Sequence, residues 1–175
     1  MTSQDGKAGA TKNDLKMINA AFIGEIFDAI ISRMKFIEFS ERSRIQRSLR
    51  ILYFYPDGIL VLLDKLIDQN GNTADTIADG YRFLKDQSEV NEELAFITSH
   101  SVTTNLSLTI AMVEELRIIS SYKDGIRAHL NTIGLLWEFE RDPKAVALAA
   151  AAVKQDIEIL NEQIRRLDAA MRADR

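Results

Sequence analysis

Apolar residues recur every three or four positions along most of the chain, which is the period of an α-helix with one buried face. The first stripe runs through Leu15, Ile18, Phe22, Ile26 and Ile30. Similar stripes predict helices over residues 13–39, 40–55, 59–67, 73–85, 103–122 and 126–139, with 90–97 as a separate helix or a continuation. We therefore predict an all-α fold, a compact antiparallel helical bundle of six or seven helices with a long C-terminal helix.

Turn signals separate these stripes. Residues 56–58 read Pro-Asp-Gly, and residues 68–73 contain an Asn-Gly pair suited to left-handed backbone. Asp142 followed by Pro143 is the pattern of an N-cap and a first helical residue, so the last helix is expected to begin near Pro143. The predicted organisation is a flexible N-terminal tail over 1–12, a helical bundle over 13–141 and a C-terminal helix over 142–175.

The C-terminal segment has a heptad pattern. Apolar residues separated alternately by four and three positions are Val146, Ala150, Val153, Ile157, Leu160, Ile164, Leu167 and Met171. This spacing is typical of helices that pack in a left-handed supercoil, but the flanking positions offer few complementary charges. Two interpretations stay open: packing on the bundle of the same chain, or a coiled-coil homodimer. For assembly we single out Val153, Ile157, Leu160, Ile164 and Leu167.

The composition argues against catalysis and metal binding. The chain has no Cys and two His, which excludes thiol nucleophiles and zinc sites with thiolate ligands. No phosphate-binding loop, nucleophile elbow or HExxH motif occurs. We therefore expect no catalytic residues, no metal site and no cofactor, and hence not an enzyme.

Location is predicted from the N-terminus and from one uncharged segment. The first 14 residues lack the apolar stretch of a secretory signal, so a cytoplasmic location is expected. Residues 94–113 carry no formal charge over 20 positions, but nine of those positions are polar. Such a segment is too polar to insert into a membrane, and no membrane association is expected.

Positive charge is concentrated in one segment. The net charge of the chain is −4, yet residues 33–50 contain six basic and two acidic residues, a local charge of +4 that leaves −8 elsewhere. A helical projection places Arg44, Arg47 and Arg50 opposite the apolar stripe, as a basic face. This face could bind an acidic protein surface or pair with acids of its own chain. Alternatively, residues 42–55, which end in three aromatic residues, could bind nucleic acid.

A hydroxyl-rich segment around the first histidine is a candidate ligand pocket. Its members are Ser99, His100, Thr103, Thr104 and Ser107. The competing interpretation makes His100 a core or interface residue whose ring nitrogen bonds a neighbouring hydroxyl. His129, which lies between polar neighbours, is expected at the surface.

These patterns favour a non-catalytic function. The sequence predicts a scaffold or regulatory module that binds another protein, one with an acidic surface, through helical faces and that self-associates as a homo-oligomer. One alternative is a nucleic-acid-associated helical protein that uses the basic helix 42–55. A second is a small-ligand sensor with its pocket at 99–107.

Overall fold

The computed structural model of the protein describes residues 18–121 and 123–173, which contain helices and no strand. The all-α prediction and the long C-terminal helix are confirmed. The predicted tail over 1–12 lies outside the described residues. The helices are α1 (Ala20–Met34), α2 (Phe39–Tyr53), α3 (Asp57–Ile67), α4 (Thr73–Gly80), α5 (Gln87–Ile97), α6 (His100–Asn105), α7 (Ile110–Ser120), α8 (Ile126–Glu140) and α9 (Pro143–Ala173), with a 3₁₀ turn at Tyr81–Phe83.

Side chains in the intervening turns determine where several helices begin. Asn72 Oδ1 accepts a hydrogen bond from Ala74 N at 2.9 Å at the start of α4. Asp142 Oδ1 accepts one from Lys144 N at 2.9 Å at the start of α9. Each bond satisfies a backbone donor that has no partner inside its helix. The Asp142-Pro143 start signal is therefore confirmed in its geometry.

The described residues form nine α-helices rather than six or seven, because some predicted helices are interrupted. The predicted helix over 103–122 is two helices, since Ser107 has a φ of 55° and the chain turns there. A left-handed residue ends a right-handed helix. Thr109 then starts α7 by accepting a hydrogen bond from Met112 N at 3.2 Å.

Helix α9 lies at the centre of the packing. It contacts α1, α2, α3 and α8 along its length. Its heptad residues are buried within the one chain, and the five chosen for assembly are 0% exposed: Val153, Ile157, Leu160, Ile164 and Leu167. A seam with a second copy would have to displace α9 from its own bundle. The interpretation in which this helix docks intramolecularly therefore describes the structure, and its weak flanking charge pattern fits that role.

A buried polar contact fixes α9 against the turn between α2 and α3. Asn161, which is 0% exposed, accepts a hydrogen bond from Tyr55 N and donates one to Tyr55 O, each at 2.8 Å. Tyr55 lies in the turn between α2 and α3, just before Pro56, so its peptide N–H and C=O groups have no partner within a helix. The Asn161 side chain supplies both missing bonds and sets the position of α9 along its axis.

Candidate interaction surface

The three arginines of the predicted basic face have different environments. Arg44 donates to Glu93 Oε2 at 2.5 Å and lies over the Phe96 ring, 4.4 Å from its centroid. Arg50 pairs with Asp168 and lies 4.5 Å from the Phe54 ring centroid. The acids of the same chain therefore occupy two of the three guanidinium groups.

The Arg44 pair is built into the contact between α2 and α5. Glu93 is 6% exposed, and its Oε2 also accepts a hydrogen bond from Ser48 Oγ at 2.6 Å. Burial acts to raise the pKa of Glu93. The hydrogen bonds from Arg44 and Ser48 lower the pKa by more than burial raises it, so the pKa of Glu93 lies below its usual range. Arg44 therefore neutralises a buried carboxylate. Arg47, by contrast, is exposed and extends from the surface of α2.

Most of the predicted hydroxyl pocket lines one wide groove between α6 and α7. The groove has a volume of about 710 Å³. From the predicted set it includes His100, Thr103, Thr104 and Ser107, and the other lining residues are Thr98, Leu108, Ile110, Val113, Glu114 and Arg117. Ser99 does not line it. Its hydroxyl lies 3.3 Å from Ser101 Oγ at the start of α6.

The environments of the two histidines are the reverse of those expected from the sequence. His100 is exposed at the rim of the groove rather than packed in a core. His129, which was expected at the surface, is 9% exposed and lies between α8 and α9, with its Nδ1 3.8 Å from Asp156 Oδ2. The position of His129 around the axis of α8 explains why it is buried. His129 shares the α8 face of Ile126, Leu130 and Ile133, all of which are buried.

Two aromatic side chains protrude at the turn between α1 and α2. Phe36 is 74% exposed and Phe39 is 58% exposed. Each has a cation beside its ring: Lys35 Nζ lies 5.0 Å from the Phe36 centroid, and the Arg42 guanidinium lies 5.7 Å from the Phe39 centroid. Large exposed apolar side chains flanked by charge are typical of protein-binding surfaces. The exposure of these residues was not predicted from the sequence, because both fell inside the predicted helix 13–39.

One hydrogen bond connects the first turn of α2, which begins at Phe39, with the end of α6, which borders the groove. Asn105 Nδ2, at the end of α6, donates to Glu41 Oε1 in the first turn of α2 at 3.0 Å. Phe39 begins that turn of α2, and Ile110, which is 91% exposed, begins α7 at the other side of the groove. We call Phe36, Phe39, Ile110 and the groove residues together the corner surface.

Other exposed apolar side chains occur where α8 meets α9. Leu135 and Phe139, one turn apart on α8, are 51% and 79% exposed, and Leu148 on α9 is 75% exposed. We call these three residues the hairpin patch. None of the three lines the groove between α6 and α7.

Residues 18–121 and 123–173 contain neither a helix that could span a membrane nor a cluster of metal-ligating side chains. No helix there combines the length and the apolar character needed to cross a membrane. No group of three or more His, Asp or Glu side chains there is arranged to hold a metal ion. Comparison of the chain with protein-family models, curated protein sequences and solved structures finds no match in any of the three.

Proposed function

We propose that this chain is a non-catalytic protein-binding module that uses the corner surface. The proposal is supported by two exposed aromatic rings, Phe36 and Phe39, and by an open groove between α6 and α7, with a hydrogen bond from Asn105 of α6 to Glu41 of α2. Aromatic side chains supply large contact areas with little loss of conformational freedom, and interface hot spots are rich in them. A groove beside them gives a partner segment a place to lie.

The charges at the corner favour an acidic partner. Lys35 and Arg42 lie beside the two phenylalanine rings, and Arg33 is exposed in the last turn of α1. Glu38 and Glu41 lie in the same region, so the net charge of these five residues is +1. A peptide segment with one or two large apolar residues flanked by Asp or Glu would meet both features of the corner. Such cation-rich rims increase association rates and select partners more than they add affinity.

Peptide selection on the immobilised full chain tests this function. We expect enrichment of segments that combine large apolar residues with Asp or Glu. Replacing Phe36→Ser and Phe39→Ser together should weaken the binding of a selected peptide at least tenfold. Phe139→Ser, in the hairpin patch, is the matched control and should leave affinity unchanged. Peptides that bind both variants equally, or that do not perturb the NMR signals of Ile110, would overturn the proposal.

A small-ligand sensor is a second candidate, favoured by the hydroxyls that line the groove. His100, Thr103, Thr104 and Ser107 provide hydrogen-bonding groups on one wall. A polar metabolite bound there should raise the melting temperature of the protein. Thr103→Val with Thr104→Val should remove that rise.

Arg44 and Arg50 form ion pairs within the chain, which weakens the case for nucleic-acid binding by the basic helix. If the basic helix binds nucleic acid, retention on an RNA column should fall with salt and should depend on Arg47.

Self-association also remains a prediction, and the hairpin patch is the surface that fits it. Leu135 and Leu148 would then be shared between two copies.

A further inference from the structure

The turn between α3 and α4 contains an asparagine followed by a glycine, Asn70-Gly71. Both residues are exposed. Neither the side-chain amide of Asn70 nor the backbone N–H of Gly71 makes a hydrogen bond with another residue in 18–121 or 123–173. A bond between the Asn70 side-chain carbon Cγ and the Gly71 nitrogen would close a five-membered ring. An electrophilic carbon and a nucleophilic nitrogen are therefore neighbours along the chain, and no competing hydrogen bond holds either group.

The backbone conformation of this turn requires glycine at position 71. The φ of Gly71 is 91°, a left-handed value that side chains with a Cβ atom rarely adopt. Apart from its chain neighbours, no described residue has a heavy atom within 4 Å of the place where a Cβ would lie. The same conformation that requires glycine therefore leaves the nitrogen of residue 71 unshielded beside the Asn70 side chain.

Other asparagines of the described chain lack this combination. Asn72 caps α4 and Asn161 bonds the backbone of Tyr55, so the amides of both are engaged. Asn91 and Asn131 lie within α5 and α8, where the nitrogen of the next residue donates to a carbonyl of the same helix. A nitrogen held in a helix is poorly placed to attack the preceding side chain.

We propose that Asn70 is a modification site, which converts in the folded protein to a mixture of aspartate and isoaspartate. The Gly71 nitrogen loses its proton to solvent and attacks Cγ of Asn70, and the side-chain nitrogen leaves as ammonia. The product is a cyclic imide. Water then adds to one of the two imide carbonyls and breaks its bond to the Gly71 nitrogen. Opening at Cγ gives aspartate, opening at the backbone carbonyl gives isoaspartate, and the reaction consumes no reactant other than water.

Isoaspartate would lengthen the connection between α3 and α4. The main chain then runs through the former side chain of residue 70, which adds one methylene group, and the former backbone carbonyl becomes a charged carboxylate. The altered segment lies between two hydrogen bonds: Asn70 N donates to Lys65 O at 2.9 Å, and Asn72 Oδ1 accepts from Ala74 N at 2.9 Å. Because α4 has eight residues and α3 has eleven, we expect the first turn of α4 to open.

Peptide mapping after incubation in ¹⁸O-labelled water tests the proposal. The folded full chain is incubated at neutral pH, so that labelled water opening an imide leaves heavy oxygen in the new carboxylate. Digestion in ordinary water and mass spectrometry then locate the label. We expect label at Asn70 to accumulate at least tenfold faster than at Asn131 in the same sample. An isoaspartyl methyltransferase with a radioactive methyl donor should modify the peptide that contains residue 70.

Two variants complete the design. Asn70→Gln should gain no label, because a ring with one more atom closes much more slowly, while a normal helical circular-dichroism spectrum confirms folding. Freshly prepared Asn70→Asp has the charge without the added methylene, so hydrogen exchange of the α4 amides should be faster in the incubated wild type than in this variant. Labelling of Asn70 no faster than of Asn131 in the folded protein would overturn the proposal. Equal exchange in the two proteins would overturn the effect assigned to α4.

Discussion

Asp156, in the middle of α9, accepts a hydrogen bond through Oδ1 from the backbone nitrogen of Ile18 at 3.0 Å. Asp156 is 1% exposed, so this bond ties the residue just before α1 to the centre of the bundle. Its other carboxylate oxygen faces the buried His129. An ionisable group placed in this way makes the stability of the fold depend on pH.

Asp156 should make the protein lose stability as pH rises through the weakly acidic range. Burial raises the pKa of Asp156 from 3.8 to about 6, although the bond from Ile18 lowers it somewhat. Between these values the folded state holds a proton that the unfolded state has released, so the free energy of unfolding decreases with pH. The change attributable to Asp156 is about 2 to 3 kcal/mol.

The variant Asp156→Asn isolates this contribution, because its amide oxygen can still accept the bond from Ile18. Urea denaturation at about pH 4, 5, 6 and 7 should give a difference between wild type and variant that changes steadily in favour of the variant as pH rises. Burial lowers the pKa of His129, which acts in the opposite sense in both proteins. Parallel pH profiles would show that Asp156 ionises normally.

Arg44 should contribute much more to stability than Arg47, three residues later, whose charge also lowers the pKa of Glu93. Arg44→Met leaves the Glu93 carboxylate buried without its cation, and we expect a loss of about 2 kcal/mol, less than for a fully buried pair because Arg44 is partly exposed. Arg47→Met should change the free energy of unfolding by less than about 0.5 kcal/mol. Equal effects in urea denaturation would contradict the structural role assigned to Arg44.

The assembly residues of the heptad should behave as core residues. Ile157→Ala creates a cavity at a position that is 0% exposed, and a loss of about 2 to 4 kcal/mol is expected. Analytical ultracentrifugation of the folded variant should give the same mass as wild type. If the wild type forms a larger assembly and the variant dissociates from it without losing stability, α9 forms the interface of an oligomer.

Hydropathy alone predicted the fold class and the buried side of α9, because the period of apolar residues is a local property of the sequence. The partner of that side is not local. Val153 and Ile157 carry the same pattern whether they meet another chain or their own bundle. The positive φ of Ser107 escaped prediction for a related reason, since serine has no strong preference for left-handed backbone and only tertiary packing imposes it.

In the candidate sites as well, features that are local in the sequence could be predicted and contacts between distant residues could not. Four of the five residues predicted in the hydroxyl segment line the groove, because they are close in sequence, whereas the other six lining residues were not predicted. Arg44 was predicted on a face opposite the apolar stripe, but it lies where α2 packs on α5, and its partner Glu93 is 49 positions away. The burial of the Lys85 amine, which lowers its pKa, was not predicted, because residues distant along the chain such as Tyr55 lie around it. Environments assembled from several helices are beyond the reach of periodicity.

Asn161 offers the most direct test of how α9 is positioned. Its amide makes one bond as acceptor and one as donor to the Tyr55 backbone, so Asn161→Asp keeps the shape but loses the donor and places a charge beside Tyr55 O. We expect a loss of about 3 kcal/mol near pH 7, with partial recovery at low pH where the carboxyl group is protonated and can donate again. Asn91→Asp, on the exposed face of α5, is the matched control and should have little effect on urea denaturation. If both substitutions cost the same, the contact with Tyr55 does not determine the position of α9.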